Sequence, residues 1–411
     1  MGVRRVGVAA APLAVLGLGV VGLVGCDLGE PPTKYAVPGA TVLSGDVDGD
    51  GDLDLVTSDP GSIGVLLGDG AGGFQVTTVP QVTACDEPGP EATCREAAVQ
   101  QVVDVDGDGL DDLVVSYLWR ESGPPGFPEI RRNDVRLADG EGGFGSLNGL
   151  PPGSHVVDVT GDGLVDLISS TDPFADGLPV RMVVRPGNGT VLFGAPLSTD
   201  LPGDHVAVGS NPVGDVDGDG HPDVVVDGVC FGGSGEQQIR GCADVLLGDG
   251  SGAFVPSGRL ALADPAADGL DATLGDLDGD GDLDVAAATI GIAADGGGAI
   301  GSMSFFHGDG AGGFGPEVTR RAHRETTNIQ DADFDGDGHV DLLTATSDRD
   351  QDFTDDYGRV LFGDGAGSYG DDRVLPNGHG AVADLDADGH PDYATFATPG
   401  NLEVFLNRLT P

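Results

Sequence analysis

The sequence is poor in aromatic residues and in positive charge. Aromatics make up 5% of the 411 residues and include a single tryptophan. Nineteen Lys and Arg stand against 68 Asp and Glu, a formal net charge of −49, which excludes the basic footprint that nucleic-acid binding needs. Acidity with few aromatics is also the composition of disordered chains. Here, however, the acids fall in regular clusters, separated by short β-branched runs such as Leu53–Thr57, Leu113–Val115 and Val224–Val226. Flanked by Gly and Asp, these runs read as buried strands, so disorder is rejected. The chain also has no G-x-S-x-G and no H-E-x-x-H, which removes two common hydrolase signatures.

The N-terminus is a separate object. Arg4 and Arg5 precede an apolar stretch from Val6 to Val24, and Leu23-Val24-Gly25-Cys26 places small residues before a cysteine. This resembles a bacterial lipoprotein signal with its lipobox. The resemblance implies removal of residues 1–25, lipidation of Cys26, and a chain held to a membrane by a lipid anchor rather than a span. Asp27 resembles an inner-membrane retention signal of enteric bacteria, so the expected destinations are the outer membrane or cell surface, or the periplasmic face of the inner membrane. Four cysteines remain. Cys85 with Cys94, and Cys230 with Cys242, each enclose a short loop, and two local disulfides are expected in an oxidising compartment.

The dominant feature is a repeat. Asp-x-Asp-x-Asp-Gly-x-x-Asp, with Thr once replacing the second Asp, begins at Asp46, Asp104, Asp158, Asp215, Asp276, Asp333 and Asp384, at spacings of 58, 54, 57, 61, 57 and 51 residues. Calcium takes six to eight oxygens in a flexible shell. A tight loop offers side chains at positions 1, 3, 5 and 9 and a backbone carbonyl at position 7, with Gly at position 6 for the sharp turn. The candidate ligands are therefore Asp46, Asp48, Asp50, Asp52 (carbonyl) and Asp54; Asp104, Asp106, Asp108, Leu110 (carbonyl) and Asp112. They continue with Asp158, Thr160, Asp162, Leu164 (carbonyl) and Asp166; Asp215, Asp217, Asp219, His221 (carbonyl) and Asp223. The last three sets are Asp276, Asp278, Asp280, Asp282 (carbonyl) and Asp284; Asp333, Asp335, Asp337, His339 (carbonyl) and Asp341; Asp384, Asp386, Asp388, His390 (carbonyl) and Asp392. Thr160 makes the third set the weakest of up to seven Ca²⁺ sites. EF-hands are excluded: position 12 is Thr57, Val115, Ser169, Val226, Ala287, Thr344 and Thr395, never the bidentate Glu, and a β run follows each loop.

Around each loop the sequence supplies strands. A short run precedes it, an Asp-Leu-Val-Val-like run follows, and a third run such as Val65-Leu66-Leu67 ends in Gly-Asp-Gly before an aromatic: Phe74, Phe254, Phe314 or Tyr369. Asp-Gly and Gly-rich pairs favour tight hairpin turns. Four strands at a period above fifty read as a propeller blade. The repeats resemble the FG-GAP/VCBS family, the blades of the integrin α-subunit propeller, across nearly the whole chain after the signal. The expected fold is all-β: a seven-bladed β-propeller of four-stranded blades over 34–411, following a tether at 26–33. The last unit lacks a fourth strand and Lys34–Val37 is an orphan run, so the N-terminal run is expected to complete the last blade.

The expected function is a calcium-binding, membrane-anchored scaffold at the bacterial envelope, monomeric, whose partner is an envelope or extracellular protein or a glycan. Hairpin arithmetic places the aspartate loops on one face and the most variable connections on the other. The longest insertion, Ser116–Asn133, carries Tyr117, Trp119, Arg120, Phe127, Arg131 and Arg132, residue types favoured at binding hot spots. The alternative is a polysaccharide-directed or other hydrolase or lyase using the top face or a channel lined by Gln101, His155, Thr273, Gln330 and His379, with Asp271 as an acid–base partner.

Overall fold

The computed structural model describes residues 31–407 except 38, 60–61, 78–91, 122–128, 146–148, 152–153, 172–179, 203–204, 208–210, 232–238, 261, 263–266, 293–298, 322–324, 348–356 and 377–378. The signal, Cys26, Cys85 and Phe127 lie outside the described residues.

Each repeat folds into four antiparallel strands in chain order. In the first blade these are Thr41–Gly45, Asp54–Asp59, Ser62–Gly68 and Phe74–Thr77, and Gly45 stands opposite Asp54, Leu55 opposite Leu66, and Gly68 opposite Phe74. The second blade begins with Ala92–Val103, the third with His155–Val157, the fifth with Ala267–Gly275, the sixth with Glu325–Ala332 and the seventh with Gly380–Ala383. In the fourth blade the first strand is broken into His205–Ala207 and Val213–Gly214, both paired to Asp223–Phe231.

Why the second strands read as unbroken apolar runs becomes plain from the packing. Consecutive residues Val224, Val225 and Val226 are all buried, because each blade is covered on both faces by its neighbours. The core is thus seven separate clusters, one between each adjacent pair of blades. Val47, Val56 and Val65 of the first blade meet Val99, Leu113 and Val115 of the second, for example. Seven such interfaces spread the hydrophobic stabilisation around the ring, and aliphatic residues, Val and Leu above all, carry most of it.

The ring closes as the sequence predicts. Thr33–Ala36 pairs antiparallel with Asn401–Phe405, Thr33 opposite Val404 and Ala36 opposite Asn401, and supplies the seventh blade's outer strand. Tyr35 locks the seam: its hydroxyl accepts the Phe74 N–H at 3.1 Å, its ring meets Phe74 edge-on at 5.9 Å, and Lys34 pairs with Glu403.

Polar residues stitch the first strands together across blades. Gln101 donates to Val156 O at 2.9 Å and accepts from Val156 N at 2.8 Å. Thr273 bonds Asp331, and Gln330 donates to Gly380 O at 3.1 Å. Three of the residues read as channel-lining are therefore inter-blade ties. Asp271 accepts the Ile329 N–H at 3.1 Å, while His155 and His379 belong to the third and seventh blades, which are not neighbours.

One sequence expectation is corrected here. Ser116–Asn133 is not a free loop: Asp112–Glu121 and Glu129–Arg136 run on as a single hairpin, with Tyr117 opposite Arg132 and Arg120 opposite Glu129. Alternating β-branched, aromatic and charged residues simply prolong the strands.

Candidate metal centre

Each aspartate loop joins the first strand of a blade to its second, and nearly the same hydrogen bonds recur from loop to loop. The position 1 carboxylate caps the turn. In the first loop Asp46 accepts from Gly49 N at 2.7 Å through Oδ1 and from Gly51 N at 3.0 Å through Oδ2, and Asp104, Asp158, Asp215, Asp276 and Asp333 repeat this capping; in the seventh loop Asp384 accepts from Asp388 N at 3.0 Å and Gly389 N at 2.9 Å. Position 5 accepts the N–H of position 7 throughout: Asp52, Leu110, Leu164, His221, Asp282, His339 and His390 all donate at 2.8–3.0 Å. These are short Asx-type bonds, the local alternative that makes Asp favourable in turns.

Position 9 is different in kind. Asp54, Asp112, Asp166, Asp223, Asp284, Asp341 and Asp392 are all buried at the head of the second strand. One oxygen accepts the N–H of position 2, as Asp54 does from Val47 at 2.8 Å; the other accepts an N–H at the end of the third strand, here Gly68 at 2.8 Å. The residue is a staple binding the loop to the blade. Burial, more than the neighbouring carboxylates, pushes Asp54, Asp112, Asp341 and Asp392 up to about 6, and moves Asp223 and Asp284 upward. Asp48, Asp106 and Asp335 at position 3 are also raised, again by burial first.

Position 2 carries a signal the motif reading passed over. It is apolar in every loop, and Val47, Val105, Val159, Val216, Leu277, Phe334 and Leu385 are all buried. Each enters the cluster shared with the next blade round the ring. The loop that gathers the carboxylates is therefore the loop that plugs the inter-blade core.

The donor set suits a hard divalent cation. Asp46, Asp48 and Asp50 bring ligand oxygens within 4.8 Å of one another, as do Asp104, Asp106 and Asp108, and Asp215, Asp217 and Asp223. Asp106 Oδ1 is shielded from solvent with no hydrogen-bond partner, a cost that a cation would relieve. Carboxylate oxygens are the ligands calcium favours. In the third loop Thr160 Oγ1 turns towards Asp158 Oδ1 at 3.4 Å, and one negative ligand is lost.

Two stretches, 46–115 and 158–226, match the family described as FG-GAP-like repeat, and together they hold four of the seven loops. With the seven blades in place, that decides the family. The chain is an FG-GAP repeat propeller. Comparison with curated proteins finds no match. Among solved structures the FG-GAP propeller is similar to an Agrocybe aegerita lectin that recognises non-reducing terminal N-acetylglucosamine, at 18% identity and a TM-score of 0.50, covering 83% of this chain and 81% of the lectin. It also matches the phage phi92 endosialidase at 10% identity and a TM-score of 0.38, covering 89% of this chain and 64% of that one.

Away from the aspartate loops, the described second strands differ in length. The second strands of blades two, four and five have ten, nine and nine residues (Asp112–Glu121, Asp223–Phe231 and Asp284–Ile292), against five to seven in the others. Of the proposed contact residues, Tyr117 is a correction. It is 2% exposed in the core, and its hydroxyl accepts from Arg136 Nε at 3.0 Å. The strand pattern explains this, since Tyr117 lies on the side shared with Val115 and Leu113. Trp119, Arg120, Arg131 and Arg132 belong to the extended hairpin, and Cys94 stands opposite Trp119 in its first strand. In the fourth blade Cys230 and Cys242 form the expected disulfide, Cα–Cα 5.9 Å. Beneath it lies a network that sequence reading missed: buried His205 Nδ1 is 2.6 Å from Asp244 Oδ2, and Arg259 Nε donates to Asp244 Oδ1 at 2.8 Å. His205, Asp244 and Arg259 are far apart in sequence, and only the strand register brings them together.

Proposed function

We propose that this propeller is a calcium-stiffened binding scaffold, exported and held at the bacterial envelope by a lipid on Cys26. The observation that supports it best is the sevenfold recurrence of one carboxylate loop, with its position 9 aspartate buried and its position 2 side chain in the inter-blade core. Calcium at positions 1, 3, 5 and 9 would neutralise carboxylates whose charge burial disfavours, and so rigidify the ring. Structural calcium on one face leaves the other for recognition. The raised hairpins of blades two, four and five, the fourth held by its disulfide, form the surface on which an envelope or extracellular protein or a glycan would dock. Loops and hairpin tips on a rigid scaffold are where recognition resides.

The test is capture from an envelope extract, with and without calcium, comparing wild type with a chain whose blade-two hairpin is cut back to the length of blade one. Calcium-dependent capture lost in the shortened variant, with its melting unchanged, supports the reading. Equal capture by both overturns the assignment of the face. Radiolabelled fatty acid incorporated by wild type and not by Cys26→Ser tests the anchor separately.

A further inference from the structure

The fifth loop has a donor that its equivalents lack. One place in each blade, at the close of the third strand, immediately precedes the N–H that position 9 accepts. In blades one, four and seven this residue is Leu67, Leu247 and Leu406, and each packs beneath a positive-φ glycine in the next blade's turn, respectively Gly142, Gly312 and Gly72. In blade five the same place is His307, beneath Gly367. A Cβ on Gly367 would stand 2.7 Å from His307 Cε1 and 3.1 Å from Nε2, so the ring is seated tightly under a residue that must be glycine.

That seat aims Nδ1 at the loop. It lies 3.1 Å from Asp278 Oδ2 at position 3 and 3.4 Å from Asp284 Oδ2 at position 9. In blade four the close donors are three carboxylates, Asp215, Asp217 and Asp223; in blade five they are two carboxylates and an imidazole. Asp284 is 1% exposed and His307 30%, so the group is half sheltered, with the other loop carboxylates alongside.

We infer that the fifth loop is a mixed nitrogen–oxygen site for a borderline divalent transition cation of the zinc or cobalt type, ligated by His307, Asp278 and Asp284. The inference rests on the loops being metal sites. Calcium is an oxygen-seeking ion, whereas imidazole suits zinc, nickel and cobalt, so a single Leu-to-His difference changes which ion the same loop prefers. The leucines at equivalent places show that the fold does not need histidine there. The imidazole instead costs the apolar contact that Leu247 makes with Gly312.

The experiment uses the full chain, stripped of metal, saturated with millimolar calcium and then titrated with Co²⁺. Wild type is expected to bind one equivalent of Co²⁺ against the calcium background, with a d–d absorption band and a contact-shifted imidazole proton in the NMR spectrum. His307→Leu should bind Co²⁺ at least about tenfold more weakly and lose the shifted proton. Leu247→His should gain a second imidazole-bound equivalent. Equal Co²⁺ affinity in wild type and His307→Leu, or bound Co²⁺ without the shifted proton, overturns the inference. A calcium titration of the same proteins keeps the two readings apart. Absent calcium binding with imidazole-bound Co²⁺ retained would sink the calcium proposal and leave this one standing.

Discussion

At the scale of single residues, the aspartates of one loop do different work. Position 9 holds structure whether or not a cation is present, because both its oxygens accept buried backbone N–H groups: Asp223 takes Val216 N at 2.8 Å and Gly248 N at 2.7 Å. Position 5 is exposed and accepts only a local bond. In calcium-free buffer, Asp223→Ala is expected to cost about 2–4 kcal/mol in urea unfolding. Asp219→Ala should stay within about 0.5 kcal/mol. Similar costs for the two would refute the distinction. Position 4 needs a left-handed backbone that the motif reading did not require. It is Gly in six loops and Ala387, φ 56°, in the seventh. That conformation strains any Cβ, so Ala387→Gly should stabilise the chain by ~0.5–1 kcal/mol, against the usual loss for such a change. Thermal melting of the pair of proteins decides it. The spacing of the aspartates was legible in the sequence because the same motif recurs seven times. The staple role of position 9 was not, since its second donor, Gly68 for Asp54, comes from another strand.

At the scale of elements, ring closure was legible and the raised hairpins were only half so. The orphan run at Lys34 announced itself because the last repeat ends one strand short. What the sequence could not show is how Tyr35 reaches across the seam to Phe74. Tyr35→Ala removes that ring contact and leaves the Phe74 N–H without its acceptor. It should lower stability by roughly 2–4 kcal/mol and increase aggregation by loosening an edge strand; unchanged melting and light scattering would argue that the seam is held elsewhere. The insertion Ser116–Asn133 looked like a loop because its charges and single Trp broke the apolar pattern. In the fold Ser116–Arg120 pairs residue by residue with Glu129–Asn133, and Tyr117 turns inward. Strand alternation could have placed Tyr117 in the core, had the insertion been read as continuing the strand.

At the scale of the whole molecule, charge and fold meet in the seven loops. Burial raises Asp54, Asp112, Asp341 and Asp392 to about 6 in the folded chain, above the unfolded carboxylate value of about 3.9. The folded state therefore holds more protons than the unfolded one between those values, and stability falls as pH rises through them. Without calcium the propeller should melt highest near pH ~4–5 and lose stability by pH ~7. Calcium should reverse that trend, because protons compete for the same oxygens. The inverse profile, with calcium-free protein gaining stability from pH 5 to 7, would contradict the burial of these charges.

The central claim is that a cation in these loops holds the ring together, and melting at neutral pH with and without calcium tests it most directly. At the affinities common for extracellular modules, free calcium about tenfold above Kd gives about 1.4 kcal/mol per occupied site, or roughly 10 kcal/mol for seven. The account predicts that Tm rises by more than ~10 °C with millimolar calcium and that a chelator returns it to the starting value. A Tm indifferent to both would contradict it.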